Sequence, residues 1–335
     1  MILPDAQVLA IIVARIGDTL LVTPALRTLR AAIPQGRLTV LAHPKRMEAL
    51  QYLSFVDELK GITKTSAPTR GWMAKNRYEL ALVYGHDAAL VRYALRASKR
   101  VIAFAQRENE LNAQLAPAVS EPASPMHAVM HRALLLEPLG LAATDLRLAW
   151  QVSPDEQAWA REWRGKHVAG GAPVIGLQIA SFATKSHRDW PVSSFQALIA
   201  GIAAEHAGAR FVLLGDTAAA EKAAPLLAAY PRQAVLAAGR LSLRQSAALM
   251  AGLDLYIGVD TGPTHIAGAL GIPMVALYHC AYPGRNLLPL QHPACVAIEH
   301  PLTGISTAAT ATMADIPVDA VFQAAMDLLA RGGRR

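Results

Sequence analysis

Apolar residues fall along this chain in short runs that alternate with stretches of helical period. Residues 8–14 form a continuous apolar run rich in β-branched side chains, the pattern of a strand buried on both faces of a parallel sheet. Residues 19–32 then carry apolar side chains at helical spacing, and Pro34 and Gly36 end that helix. Residues 38–42, 80–83 and 101–104 predict further strands with helical stretches between them. A Gly-rich break, GKHVAGGAP at 165–173, follows a polar helix containing tryptophan. The pattern then restarts, with strands predicted at 174–179, 211–214, 255–257 and 274–277. A helix is expected at 195–206 and a closing amphipathic helix at 318–330. Strands alternating with helices predict right-handed βαβ units. The expectation is an α/β protein of two similar halves, with the ligand in the cleft between them at the carboxyl ends of strands.

Composition narrows the class. The 335 residues suit two domains, and 53% hydrophobic against 17% charged residues excludes a disordered chain. The run at 8–14 is far short of the roughly 20 apolar residues a membrane span needs, and Met1-Ile-Leu-Pro-Asp5 does not read as a secretory leader. Two cysteines, Cys280 and Cys295, make no disulfide framework and fit a reducing compartment, so a cytoplasmic protein is expected. The net charge is +7, with 24 Arg against 8 Lys. Arginine's planar fork suits phosphate, carboxylate or an anionic membrane surface, although a GC-rich genome produces the same excess. Nucleic acid is not an expected partner, because aromatics are only 6% and no basic run is interleaved with them.

Chemistry is concentrated just past the predicted strands. Asp18 follows the first strand in Arg15-Ile-Gly17-Asp18, where Gly17 allows a sharp turn. A carboxylate there can serve as a general base or simply cap the following helix, and Arg15 can bind an anion or remain solvated. Asp260-Thr261-Gly262-Pro-Thr264-His265 joins a strand to a helix whose free amides and positive dipole end suit a phosphate; an ordinary capped junction reads the same way. The loop from Ser181 to Pro191 carries Thr184, Lys185 and Arg188, two of them cations able to neutralise a diphosphate leaving group. Asp216 and Glu221 follow another strand and suit either ribose hydroxyls or a helix cap. His127 and His131 stand four apart on a predicted helix and read as surface or core. His279, Cys280, His292, Cys295 and His300 crowd one segment without CxxC or HExxH spacing, so no metal is expected. GxxxxGK[ST], GxGxxG and Asp-x-Asp are all absent, which disfavours a dinucleotide-dependent oxidoreductase.

Three blocks together resemble the ADP-heptose:lipopolysaccharide heptosyltransferases, glycosyltransferase family 9. They are Arg15–Asp18 with Pro24-Ala-Leu26, Arg188-Asp-Trp-Pro191, and Asp260–His265 with its Ala-Gly-Ala-Leu-Gly-Ile-Pro273 continuation. The resemblance implies a GT-B fold, two Rossmann-like domains facing across a central cleft. It implies an acceptor-binding domain at 1–168, a nucleotide-sugar domain at 169–317, and a helix at 318–335 returning towards the first domain. It further implies inversion at the anomeric carbon without an obligatory metal or cofactor. Carried over by position, the base falls on Asp18, with Arg15 and Gly17 on the acceptor side. The donor diphosphate falls to Thr184, Lys185, Arg188, Asp260, Thr261, Gly262, Thr264 and His265, and the nucleoside to Asp216 and Glu221. The implied partners are ADP-heptose and a lipopolysaccharide core or lipid-linked acceptor, at the inner face of the inner membrane. Two departures stand out: Arg188 replaces the family's usual lysine, and His-Cys-Ala-Tyr-Pro-Gly after Tyr278 replaces its usual Gly-Pro-Thr type loop. The alternatives are a related transferase with another nucleotide sugar or a protein acceptor, and a non-catalytic nucleotide-sugar-binding protein.

Overall fold

The computed structural model describes residues 2–74, 76–168, 170, 172–181, 183–305 and 310–332. They form two compact units, Met1–Gln151 and Val152–Arg335.

In the first unit, β1 (Gln7–Ile12), β2 (Arg37–Ala42), β3 (Glu58–Gly61), β4 (Tyr78–Val83), β5 (Ser98–Phe104) and β6 (Ala118–Val119) make one sheet in the order β3-β2-β1-β4-β5-β6. Every pairing is parallel. β1 is central, and its unbroken apolar run has a direct cause. Val8, Ala10 and Ile12 enter one core with Leu26, Leu29 and Val40, whereas Leu9 and Ile11 enter a second core with Val83, Leu90 and Val101. Removing such a side chain costs about 2–5 kcal/mol. The expected helix at 19–32 is in fact two, α1 (Ile16–Leu20) and α2 (Thr23–Ala32). Pro24 occupies the first turn of α2 and has no N–H to continue α1. A short helix, α3 (Ala128–Ala133), follows β6.

The second unit opens with α4 (Pro154–His167) and repeats the plan. β7 (Val174–Gln178), β8 (Arg210–Leu214), β9 (Ala234–Leu236), β10 (Leu255–Val259), β11 (Met274–Tyr278) and β12 (Cys295–Glu299) form a parallel sheet in the order β12-β11-β10-β7-β8-β9. Its helices include α5 (Val192–Glu205), α6 (Thr217–Lys222), α7 (Leu243–Met250), α8 (Gly262–Leu270) and α9 (Val318–Gly332). α9 sets Val321, Ala325 and Leu328 into the same core as Phe195 and Ile199 of α5 and Ile175 and Leu177 of β7. Residues 333–335 of the expected closing segment lie outside the described residues.

The units divide ahead of the Gly-rich break, of which Ala169 and Gly171 also lie outside the described residues. The reason is α4. Ser153 and Glu156 close a capping box at its start. The Glu156 carboxylate then accepts from Arg244 Nε at 2.7 Å and Nη2 at 2.6 Å, which fastens α4 to α7. Both sheets have the classical dinucleotide-fold order, whose ligand crevice opens where the strand order reverses: beyond β1 and β4 in the first unit, beyond β7 and β10 in the second.

Candidate functional site

In the second unit, the loop after β7 and the start of α8 after β10 meet at that reversal point. Gly258 makes this possible, since a Cβ there would lie 2.6 Å from Gln178 Cβ and from the Tyr256 hydroxyl. Arg188 Nη1 donates to Asp260 Oδ2 at 2.9 Å, and the two side chains are only 15% and 6% exposed. His265 Nε2 lies 3.7 Å from the other carboxylate oxygen. Asp260 is therefore a buried anion holding two of the sequence-predicted residues. The Arg188 guanidinium also lies over the Tyr282 ring, 3.7 Å from its centroid, and Lys185 Nζ is 5.7 Å from the same centroid. Arg188, and then Lys185, favour the phenolate and pull the Tyr282 hydroxyl below its ordinary value. Arg188 Nε is buried with no hydrogen-bond partner among the described residues, a donor of the kind that native structures normally satisfy.

The start of α8 is rigid. Thr264, fully buried, donates its hydroxyl to Val259 O at 2.5 Å and shares a 2.9 Å bond with the Tyr256 hydroxyl. Its amide closes onto Thr261 O at 3.1 Å. Pro263 has no N–H, and the N-cap Thr261 places no side-chain bond over the first turn. Among the described residues, this leaves the amides of Thr261 and Gly262 as donors at the positive end of a nine-residue helix.

Asp189 organises the cation loop. One carboxylate oxygen accepts from the amide and hydroxyl of Ser181, both at 2.6 Å, and the other pairs with Lys222 of α6. Trp190 anchors the end of the loop, fully buried, with Nε1 donating to Ile316 O at 3.2 Å. Thr184 is exposed, and Phe182 lies outside the described residues. The nucleoside candidates separate. Asp216 is the N-cap of α6, accepting from the Ala219 amide at 3.0 Å, whereas Glu221 is exposed on the same helix. Gly215 before them adopts φ +140°, a conformation that favours glycine.

The histidine segment serves packing. Imidazole Nε2 atoms of buried His279 and His300 bond the carbonyls of Ala311 and Thr312 at 2.9 and 3.0 Å. Burial pushes the Cys295 thiol up to about 12. Among the described residues, no three His, Cys, Asp or Glu side chains are grouped to hold a metal.

In the first unit, Asp18 is not a helix cap. α1 begins at Ile16 with exposed Arg15 as its N-cap, so Asp18 sits in the first turn behind buried Gly17. The carboxylate is 43% exposed, with Oδ1 3.4 Å from Arg132 Nη2 of α3. This arginine drew no notice in the sequence, nor did Tyr282. A tyrosine between Ala281 and Pro283, just beyond a strand next to β10, was the available signal for the latter.

The model of glycosyltransferase family 9 (heptosyltransferase) matches residues 73–301. The chain belongs to that family. It is accordingly a glycosyltransferase, and its fold is that of solved members. It is 25% identical over 280 residues to lipopolysaccharide heptosyltransferase 3 of Escherichia coli K12, covering 78% of this chain and 79% of that one. A family 9 glycosyltransferase from Veillonella parvula superposes with a TM-score of 0.82 at 20% identity, covering 98% of both chains. Heptosyltransferase WaaC of E. coli, solved with ADP, superposes with a TM-score of 0.74 at 18% identity over 96% of this chain and 99% of that one. Among the described residues of this family 9 enzyme, no helix is long and apolar enough to cross a membrane.

Proposed function

We propose that this glycosyltransferase transfers heptose from ADP-heptose to a hydroxyl of a lipopolysaccharide core acceptor, with inversion. The observation that carries the reading is the cation cluster beyond β7 and β10. Arg188 and Lys185 gather on Tyr282, and Arg188 is bonded to Asp260, the residue just before the Thr261 and Gly262 amides, a set of donors that suits a departing diphosphate. Relatives support the donor: E. coli WaaC has been solved with ADP and with ADP-2-deoxy-2-fluoro heptose, and the E. coli relative acts on lipopolysaccharide. Glu221, exposed on α6, takes the ribose hydroxyls, while Asp216 holds the helix start.

The reaction is a single displacement. The acceptor oxygen bonds the anomeric carbon as that carbon's bond to the diphosphate oxygen breaks, and the electron pair leaves with ADP. Asp18 takes the acceptor's proton. Arg188, Lys185 and the amide pair at α8 stabilise the charge that develops on the leaving group. The excess of arginine also fits a peripheral contact with an anionic inner membrane, where the acceptor lipid resides.

The test incubates purified protein with ADP-heptose and truncated lipopolysaccharide acceptors and reads acceptor mass. A gain of one heptosyl residue is expected. Transfer of a hexose from another nucleotide sugar instead would overturn the donor assignment, and donor binding without any transfer would identify a non-catalytic binder.

A further inference from the structure

A chain of contacts in the first unit ends on Asp18 and begins far from it in sequence. Arg132 Nη2 faces Asp18 Oδ1 at 3.4 Å, and Nη1 of the same guanidinium bonds His131 Nδ1 at 3.2 Å. Across the imidazole ring, His131 Nε2 bonds Glu121 Oε2 at 2.6 Å. The other oxygen of Glu121 meets His86 Nε2 at 2.8 Å. The His131 ring lies flat on the buried Phe104 ring, with centroids 4.5 Å apart and planes 15° apart.

Donor and acceptor roles along this chain are forced by its ends. A guanidinium only donates and a carboxylate only accepts. His131 therefore accepts at Nδ1 from Arg132 and donates its Nε2 proton to Glu121. In that arrangement the imidazole holds one tautomer and one orientation. Stacking on Phe104 fixes the ring, and Glu121 fixes the tautomer. Together they set the direction of the guanidinium, which has one terminal nitrogen on His131 and the other on Asp18.

We infer that Arg132, held by the Glu121–His131 pair, is a positioning residue that orients the Asp18 carboxylate for proton removal. One oxygen of Asp18 is steadied by the guanidinium, and Oδ2 has no bonded partner among the described residues. That is the arrangement a general base needs, since proton transfer depends on a fixed direction as well as on basicity. The inference rests on the reading of Asp18 as the base. It differs from a role in binding the acceptor, which would alter affinity rather than turnover.

The test is a cycle of Asp18→Asn, Arg132→Ala and the double variant, measured as heptosyl transfer with kcat and KM for both substrates. Arg132→Ala should lose about 10- to 100-fold in kcat with both KM values within about threefold. Added guanidinium ion should restore much of that loss, and Arg132→Lys should retain part of it. The double variant should be no slower than Asp18→Asn alone. An undiminished kcat in Arg132→Ala, a change confined to acceptor KM, or losses that multiply in the double variant would each overturn the inference while leaving the base in place. Full activity in Asp18→Asn would instead remove the base reading, and this inference with it. Guanidinium rescue excludes misfolding as the cause of a loss.

Discussion

Asp260 neutralises Arg188 inside the protein, at 2.9 Å and with both side chains largely buried. The cation that most plainly suits the leaving group is thus held by an anion on its own scaffold. Removing one member of such a pair leaves an uncompensated buried charge, which costs about 3–5 kcal/mol. Asp260→Ala should therefore lose that much stability in urea unfolding and weaken ADP binding as Arg188 is released. Asp260→Asn combined with Arg188→Gln should recover most of the stability but not the ADP affinity. Equal stability of Asp260→Ala and the unaltered protein would show that the pair is not intact in solution.

Asp18 is exposed enough to reach a ligand and carries no capping duty. A general base contributes a factor of about 10² to 10⁴. Asp18→Asn should lower kcat by at least about 10²-fold while ADP affinity, measured by calorimetry, stays within about twofold.

The Tyr282 ring has both Arg188 and Lys185 against it. A cation over an aromatic face is worth about 0.5–2 kcal/mol. Tyr282→Ala should weaken ADP binding by about 2- to 30-fold. Tyr282→Phe keeps the platform and should stay close to the unaltered protein, so equal losses in the two variants would mean that the hydroxyl, not the ring, is the working part.

His292 makes the protein acid-sensitive. Its Nδ1 accepts from the Ala294 amide at 3.1 Å, Nε2 is buried, and burial lowers its pKa from 6.5 to about 4. The unfolded chain binds the proton more readily, so unfolding becomes easier as pH falls. Stability is intact above about pH 6.5 and is lost progressively between there and about pH 4, by on the order of 2 kcal/mol from this group. His292→Asn keeps an acceptor for the amide and should flatten that part of a melting-temperature profile.

Glu156 tests the junction rather than the chemistry. It closes a capping box and binds Arg244 through two bonds. Glu156→Ala should cost about 3–5 kcal/mol of stability in the second unit, read by urea unfolding, with kcat unchanged at 25 °C.

Central strands and edge strands differed in how well the sequence declared them. β1, β4, β7 and β10 are buried on both faces, and an apolar run is the direct consequence. β3 and β12 are only half-buried along their whole length, β6 has two residues and β9 three, too little burial or length to stand out from loop. The segment holding Cys295 was therefore not among the predicted strands although it is one. The capping role of Asp216 and the strand-to-helix junction at Asp260 were both legible, because each lies within a few residues of the element it serves.

What stayed hidden depends on distance along the chain. His131 is bound to Glu121 and stacked on Phe104, so its helical spacing from His127 carried no information about its partners. Arg132 reaches Asp18 across 114 positions. Thr264 looked like a phosphate donor, but its hydroxyl is used by Val259 and Tyr256, a demand set by packing that no local pattern displays.

Asp189, near the end of the cation loop, binds Ser181 at the loop's start through one oxygen and Lys222 of α6 through the other. A loop rich in hydroxyls and cations would ordinarily lose chain entropy when its ligand arrives, and affinity would suffer accordingly. In the folded second unit Asp189 already ties the start of that loop, through Ser181, to Lys222. Association with the donor should then carry a small entropic penalty, and Asp189→Ala should convert the same binding reaction into one that is enthalpically similar but entropically costlier.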